Sequence, residues 1–137
     1  MVELSPSFEL EYQPIDNDHR RLIEIVNEIV KALDDDRVEE CARLVPDFVD
    51  FAKAHFLREE AFLEKAGYPQ LQKHYRHHRE LNTKMDTMLR LAETARDSEV
   101  ARESLGRELV FFLMDDVINA DLDFKPFLVN KGLIEPK

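Results

Sequence analysis

The feature that most constrains the fold is a spacing of three and four residues between apolar side chains, which recurs in four segments of the chain. Apolar residues at this spacing lie along one face of an α-helix, and such a helix buries that face against its neighbours. Only 3 of the 137 residues are glycine and 44% are hydrophobic, so the chain has few breaks and enough apolar surface for a core. We therefore expect an all-α fold.

Short breaks separate the four helical segments. The segments begin near Pro14, Val38, Pro69 and Ser98, and the first two end at Asp34–Asp36 and Ala66. Gly67 is a typical C-terminal stop for the second helix, and Pro46 means that this helix either kinks there or begins nearby. Connections this short join antiparallel neighbours. We predict an antiparallel up-down-up-down four-helix bundle with a short helical tail around Pro126, in one domain spanning residues 1–137.

Each apolar stripe is interrupted by side chains that can bind a metal ion. These are His19 in the first helix, His55 and Glu59 in the second, His74 and His78 in the third, Asp116 in the fourth and Asp121 just beyond it. In an antiparallel bundle, the starts of helices one and three lie at the same end as the ends of helices two and four. All seven side chains should therefore meet in one layer of the core, and unpaired buried carboxylates cost several kcal/mol each. Cations in this layer would remove that cost, so the sequence predicts a metal site.

The spacing within each helix supports this site, with one exception. The histidine–glutamate pair of the second helix and the histidine pair of the third are each four residues apart, about one turn. Asp116 and Asp121 are five residues apart, an offset of about 140° on an ideal helix, so the fourth helix must widen or unwind there. His77 competes with His78 as a ligand, but His78 fits the stripe. Glu60 is off the stripe and is expected in solvent.

Charge and cysteine content exclude several classes of function. A formal net charge of −10 argues against binding to nucleic acid or to an anionic membrane surface. Cys41 is the only cysteine, and no apolar run approaches the ~20 residues of a membrane span. Residues 1–11 lack the basic and then apolar pattern of a signal peptide. We expect a cytoplasmic protein with neither nucleic acid nor membrane as a partner.

Several motifs together resemble those of one known family. They are Ile15–His19, His55–Glu60, Gly67–Pro69 before the histidine pair of the third helix, and Phe112–Val117 followed by Asp121, Phe124 and Phe127. In this order and spacing they resemble the hemerythrins, in particular the bacterial hemerythrin-like domains. The resemblance implies a non-haem di-iron centre: two iron ions joined by an oxo or hydroxo bridge, with O2 as a ligand.

The resemblance also implies which residues bind each iron. Glu59 and Asp121 would bridge the two ions. The histidines of the first two helices would bind the iron that takes O2, and those of the third helix, with a third ligand, would bind the other iron. The family supplies histidine as that third ligand, whereas this chain has Asp116, and Phe112 stands where the family usually has tryptophan.

Asp116 leaves three alternatives open: it binds the iron directly, binds through a water molecule, or leaves that iron with an open position. An anionic oxygen ligand favours ferric iron. We therefore hypothesise faster autoxidation than in a relative with histidine at this position, and expect Asp116→His to slow it.

Three functions fit these features. The first is a di-iron O2-binding protein for oxygen carriage, storage or O2/redox sensing, in which a sensor would need a separate signalling partner. The second is an enzyme: a di-iron peroxidase or oxidase, or one that handles reactive nitrogen species, with an electron donor as partner. The third is a structural bundle without metal. Histidine and carboxylate ligands suit iron, and manganese and zinc stay as alternatives.

Overall fold

Four long helices joined by short connections make up most of the described chain. The computed structural model describes residues 8–10 and 12–133. The helices are α1 (Gln13–Asp34), α2 (Val38–Ala66), α3 (Leu71–Thr94) and α4 (Glu99–Phe111), and the described residues form no strand. Helix α1 contacts α2 and α4, and α3 contacts the same two helices. The expected all-α class is confirmed.

Two earlier expectations fall partly outside this range. Most of residues 1–11, the segment considered for a signal peptide, and the last four residues of the predicted domain lie outside the described residues. Within the described ranges, no helix combines the length and the apolar character needed to cross a bilayer.

Capping residues set two of the helix ends, as the sequence indicates. Ser98 is the N-cap of α4, and its hydroxyl accepts a hydrogen bond of 3.2 Å from the Ala101 N–H. Gly67 follows α2 with φ of 78°, a left-handed conformation that glycine adopts without a steric penalty. Its N–H bonds back to carbonyls of the last turn, which confirms the predicted stop.

The proline positions predicted the helix starts less accurately than Ser98 and Gly67 predicted the helix ends beside them. Helix α3 begins at Leu71 rather than at Pro69, because residues 69–70 form a turn in which the Leu71 N–H bonds to the Tyr68 carbonyl at 3.3 Å. Helix α2 begins at Val38 and continues through Pro46. The alternative in which α2 begins near that proline is therefore wrong.

Two apolar clusters hold the molecule together. The larger cluster takes buried side chains from all four helices, among them Leu22, Phe48, Met85 and Leu109. The smaller cluster contains Leu10, Ile15, Leu63, Phe124 and Leu128. Its last two members come from the tail, which consists of a 3₁₀ turn (Leu122–Phe124) and α5 (Lys125–Asn130). The tail thus packs against α1 and α2, and burying its two large side chains stabilises it by roughly 2 kcal/mol each.

The segment between α4 and the tail is a π-helix, Phe112–Asn119. The widening predicted from the five-residue interval is confirmed, because a π-helix bonds residue i to i+5 and turns less per residue than an α-helix. Asp121, just beyond it, is 2% exposed and faces the core. The Asp116 side chain, inside it, is 16% exposed and lies beside Lys84 of α3.

Candidate metal centre

Six of the seven candidate ligands are buried and lie together. They form two groups, in each of which the four ligand atoms lie within 4.8 Å of one another. The first group is His19, His55, Glu59 and Asp121, and the second group is Glu59, His74, His78 and Asp121. Each group has two imidazoles and two carboxylates, a set that suits a divalent transition metal. Both groups contain the same two carboxylates, so two metal ions would lie side by side.

In the first group, both histidines face the same oxygen of Asp121. His19 Nε2 lies 2.9 Å from Asp121 Oδ2, and His55 Nε2 lies 3.4 Å from the same atom. His55 Nε2 is also 3.1 Å from Glu59 Oε2. The first group therefore uses Oδ2 of one carboxylate and Oε2 of the other.

The second group uses the opposite oxygens. His74 Nε2 forms a short hydrogen bond with Glu59 Oε1, and His78 Nε2 lies 3.3 Å from that oxygen. His74 Nε2 is 3.8 Å from Asp121 Oδ1. Glu59 and Asp121 thus each present one oxygen to each group, which is the disposition of carboxylates that bridge two ions.

The buried histidines and carboxylates of the centre shift one another's pKa. Burial alone would lower the pKa of His55, but the charge of Glu59 and hydrogen bonds with Asp121 and Asp18 raise it well above its usual range. Burial would raise the pKa of Glu59, yet His55 and the hydrogen bonds around it lower it well below its usual range. Burial and the neighbouring charge of Glu59 raise the pKa of Asp121. Metal ions bind deprotonated ligands, so a cation would replace protons on these side chains.

One oxygen in the centre has no hydrogen bond. Glu59 Oε2 is buried and unpaired by hydrogen-bond geometry, although His55 Nε2 is 3.1 Å away. Leaving a buried acceptor unsatisfied costs about 1–3 kcal/mol, and more for a charged group. A cation between the imidazoles and carboxylates would satisfy this oxygen, so the residues present fit a metal pair.

A carboxylate outside the first group orients His55. Asp18 Oδ2 accepts a hydrogen bond of 2.9 Å from His55 Nδ1, which turns Nε2 toward Glu59 and Asp121. Arg58 donates two further hydrogen bonds, of 3.0 and 2.9 Å, to the same carboxylate. Burial would raise the pKa of Asp18, but these partners lower it.

The second group has a matching outer carboxylate. Glu60 Oε1 accepts a hydrogen bond of 3.1 Å from His78 Nδ1, and its side chain is 19% exposed. The expectation that Glu60 is solvated is therefore wrong. Phe56 stacks on His78 with ring centroids 4.2 Å apart. The apolar stripe did not identify Asp18 or Glu60, because they approach the histidines from outside the ligand layer.

Asp116 is the candidate ligand that the structure does not bring to the site. It belongs to neither group, and its Oδ2 accepts a hydrogen bond of 2.8 Å from Lys84 Nζ. Its backbone carbonyl accepts a hydrogen bond of 2.7 Å from His77 Nε2. Of the two competing histidines, His78 is the one that lies in the second group. No sequence pattern indicated Lys84, because exposed lysines are common on helices.

A cleft of about 440 Å³ opens beside the second group. Its lining comprises Tyr68, Gln70, Lys73, His74, His77, Ala120 and Asp123. His74 is 8% exposed, whereas His19 and His55 of the first group are fully buried. The approach from solvent thus reaches the second group first.

Comparison with known proteins shows similarity to one family along most of the chain. Residues 11–127 match the model of the hemerythrin HHE cation binding domain. The chain is 30% identical over 97 residues to a bacteriohemerythrin of Pseudomonas aeruginosa, covering 71% of this chain and 59% of the relative. It is 25% identical over 121 residues to the bacteriohemerythrin of Clostridium acetobutylicum, covering 85% and 93%.

The two relatives differ in the share of their own length that this chain covers. The chain spans about three fifths of the length of the Pseudomonas relative. No solved structure matches this chain significantly. The family match nevertheless extends over most of the sequence, from before α1 to within α5. The motifs, the grouped histidines and carboxylates, and this match lead to one conclusion: the chain belongs to the hemerythrin family.

Proposed function

We propose that this protein binds two iron ions at the grouped residues and that the iron pair binds O2. The observation that carries the proposal is that Glu59 and Asp121 each turn one oxygen toward each group. Histidine and carboxylate donors suit iron as well as zinc or manganese, and the match to the hemerythrin family leads us to propose iron. The meeting of side chains from α1, α2, α3 and the segment after the π-helix also supports the antiparallel up-down order, in one domain.

The metal ligands in this proposal are the six buried residues. His19 and His55 would hold one ion, His74 and His78 the other, and Glu59 with Asp121 would bridge them. Bound ferrous ions would supply the electrons and the coordination position that O2 binding requires.

The surrounding residues have two tasks. Asp18 and Glu60 hold one imidazole of each group in place. Phe56 has its ring 5.8 Å from that of His55 and 4.2 Å from that of His78, so it covers both groups against water. Excluding water strengthens the electrostatic interactions inside the centre.

The test is the optical spectrum of ferrous-loaded protein, recorded without O2, with O2, and after O2 removal, together with the iron content. We expect two iron ions per chain and a visible band that appears with O2. A band that disappears when O2 is removed supports carriage, storage or sensing by reversible binding. Lasting conversion to ferric iron supports a redox role, and failure to bind iron contradicts the proposal.

We further propose that the centre autoxidises quickly. The sequence hypothesis attributed this to direct ligation by Asp116, whereas Lys84 holds that carboxylate outside both groups. Solvent access beside His74 supports another route, in which water or an anion supplies the oxygen ligand that favours ferric iron. Asp116→His should slow autoxidation by filling that position. Asp115→Asn, at an exposed neighbour, is the matched control, and equal rates in both variants would contradict the idea.

An enzyme is the second candidate, favoured by one feature of the cleft. Tyr68 and His77 lie in the cleft with His74, where they can exchange protons with a small substrate such as peroxide. Repeated turnover of hydrogen peroxide with a chemical reductant would support a peroxidase, whereas a single stoichiometric reaction would favour the binding protein.

A further inference from the structure

Asp116 lies outside the second group and therefore adds no ligand to it. The Asp116 carboxylate is paired with Lys84 at 2.8 Å, and its carbonyl is bonded to His77 at 2.7 Å. The carboxylate and the backbone carbonyl of this residue thus have partners outside the two groups. A metal in the second group has only His74, His78 and the two shared carboxylates as protein donors.

This donor set is small for iron. Two histidines and one carboxylate leave positions open for outside ligands at many non-haem ferrous sites. The second group likewise has two histidines, and it shares its two carboxylates with the first group. A metal held there therefore keeps room for a ligand that the protein does not supply.

The cleft gives such a ligand a way in. His74 is the most exposed of the six buried candidate ligands, and it lines the cleft together with His77 and Lys73. Ala120 lines it as well, next to the bridging Asp121, and its small side chain leaves space there. A molecule of a few atoms fits easily within about 440 Å³.

Charge favours an anion in this position. Two divalent ions together with the carboxylates of Glu59 and Asp121 leave an excess of positive charge. Lys84 neutralises Asp116, so that carboxylate does not offset the excess. Lys73 adds a positive charge at the cleft, opposed by Asp123.

We propose that the metal of the second group binds a small inorganic anion that enters through this cleft, at the position left open because Lys84 holds Asp116 away. The inference rests on the di-iron function proposed above. It makes the metal of the second group accessible to small ligands, through a lysine–aspartate pair that lies outside both groups.

The test uses the full chain loaded with two cobalt(II) ions, whose visible absorption responds to a change in coordination, and azide as the probe. We expect wild-type protein to take up one more azide per chain than Asp116→His, because the histidine fills the open position. Asp115→Asn should behave like wild type. Equal azide stoichiometry in wild type and Asp116→His would overturn the inference and leave the metal centre intact.

A second variant covers the case in which Asp116→His does not fold. Lys84→Met releases the Asp116 carboxylate to compete for the metal, so azide binding should weaken by about tenfold, or about 1.4 kcal/mol. Unchanged affinity would overturn the role given to Lys84. Failure of wild-type protein to bind two cobalt ions, with no metal-induced rise in Tm, would instead overturn the proposed metal centre itself.

Discussion

At the residue scale, the centre depends on carboxylates that do not belong to either group. Asp18 accepts from His55 Nδ1 and is itself held by two hydrogen bonds from Arg58. A negative charge on the far side of an imidazole makes its other nitrogen a better metal ligand and fixes the ring orientation. Asp18 and Arg58 should therefore affect metal affinity without contacting the metal.

Asp18→Asn tests this role because it keeps the shape of the side chain and removes its charge. Metal affinity should fall by about 10- to 100-fold, as is usual when such outer partners are lost. Competition with a chromophoric chelator for cobalt(II) measures the change. Asp86→Asn, at an exposed position on α3, is the control. An equal effect of both substitutions would mean that general surface charge, and not the contact with His55, is responsible.

At the element scale, the π-helix determines which side chain reaches the centre. The eight residues Phe112–Asn119 turn less per residue than an α-helix would, and Asp121 follows with its side chain in the core. Restoring an ordinary helical turn would rotate Asp121 away from Glu59. π-Helical turns are uncommon and often occur at functional sites.

Insertion of one alanine after Asn119, an exposed residue at the end of the π-helix, should put the following segment out of register. Asp121 would then rotate by about 100° relative to the preceding helix, and metal binding should be lost. Metal-dependent stabilisation in thermal melts and far-UV circular dichroism are the measurements, and helical content should persist. Asn119→Ala keeps the chain length and should bind metal normally. Full metal binding by the insertion protein would contradict the role given to this register.

The ends of the helices also contribute to stability at the element scale. Gly67 closes α2 with φ of 78°, and the chain then turns through Pro69 into α3, which carries His74. A Cβ added at Gly67 meets no atom within 4 Å, so any cost of substitution comes from the backbone conformation.

Gly67→Ala should therefore lower the free energy of unfolding by about 1–2 kcal/mol. Gly106→Ala is the matched control inside α4, where a Cβ would lie 3.5 Å from Leu33 Cδ1, an ordinary contact. It should raise the free energy by about 0.5–1 kcal/mol. Urea denaturation of the metal-free proteins measures both, and effects of the same sign would contradict the argument.

At the scale of the whole molecule, the apolar core and the metal centre contribute to stability separately. The larger cluster includes Leu22, Phe48 and Leu109, apolar side chains whose burial does not depend on a metal ion. The helices should therefore form without metal. In the metal-free protein, however, the charged layer lacks the cations that would offset its charges.

Removing the metal with a chelator should lower Tm and leave most of the helical circular dichroism signal. A metal at a free concentration 100 times its Kd stabilises the native state by about 2.7 kcal/mol. Glu59→Gln removes a carboxylate from both groups, so its Tm should not respond to the chelator. A wild-type Tm that is equally insensitive would support the purely structural bundle.

The helical class, most helix bounds and the layer of histidines and carboxylates could be predicted from the sequence. These follow from local rules, because a stripe of apolar residues, a serine cap and a glycine stop act within a few residues. The five-residue interval between Asp116 and Asp121 indicated a helix that widens or unwinds there, and the segment is a π-helix, although only Asp121 reaches the two groups. The meeting of six predicted side chains in two groups agrees with the same periodicity.

Only the tertiary structure decided how Asp116, Asp18 and Glu60 are used. Asp116 pairs with Lys84, 32 residues away in the chain, and Asp18 with His55, 37 residues away. Such pairs depend on how two helices are rotated against each other, which periodicity along one helix does not specify. The access cleft has the same origin, since its walls come from α3, the turn before it and the segment around Ala120. Ligand type is thus a local property of this sequence, whereas the contacts that surround the ligands are a property of helix packing.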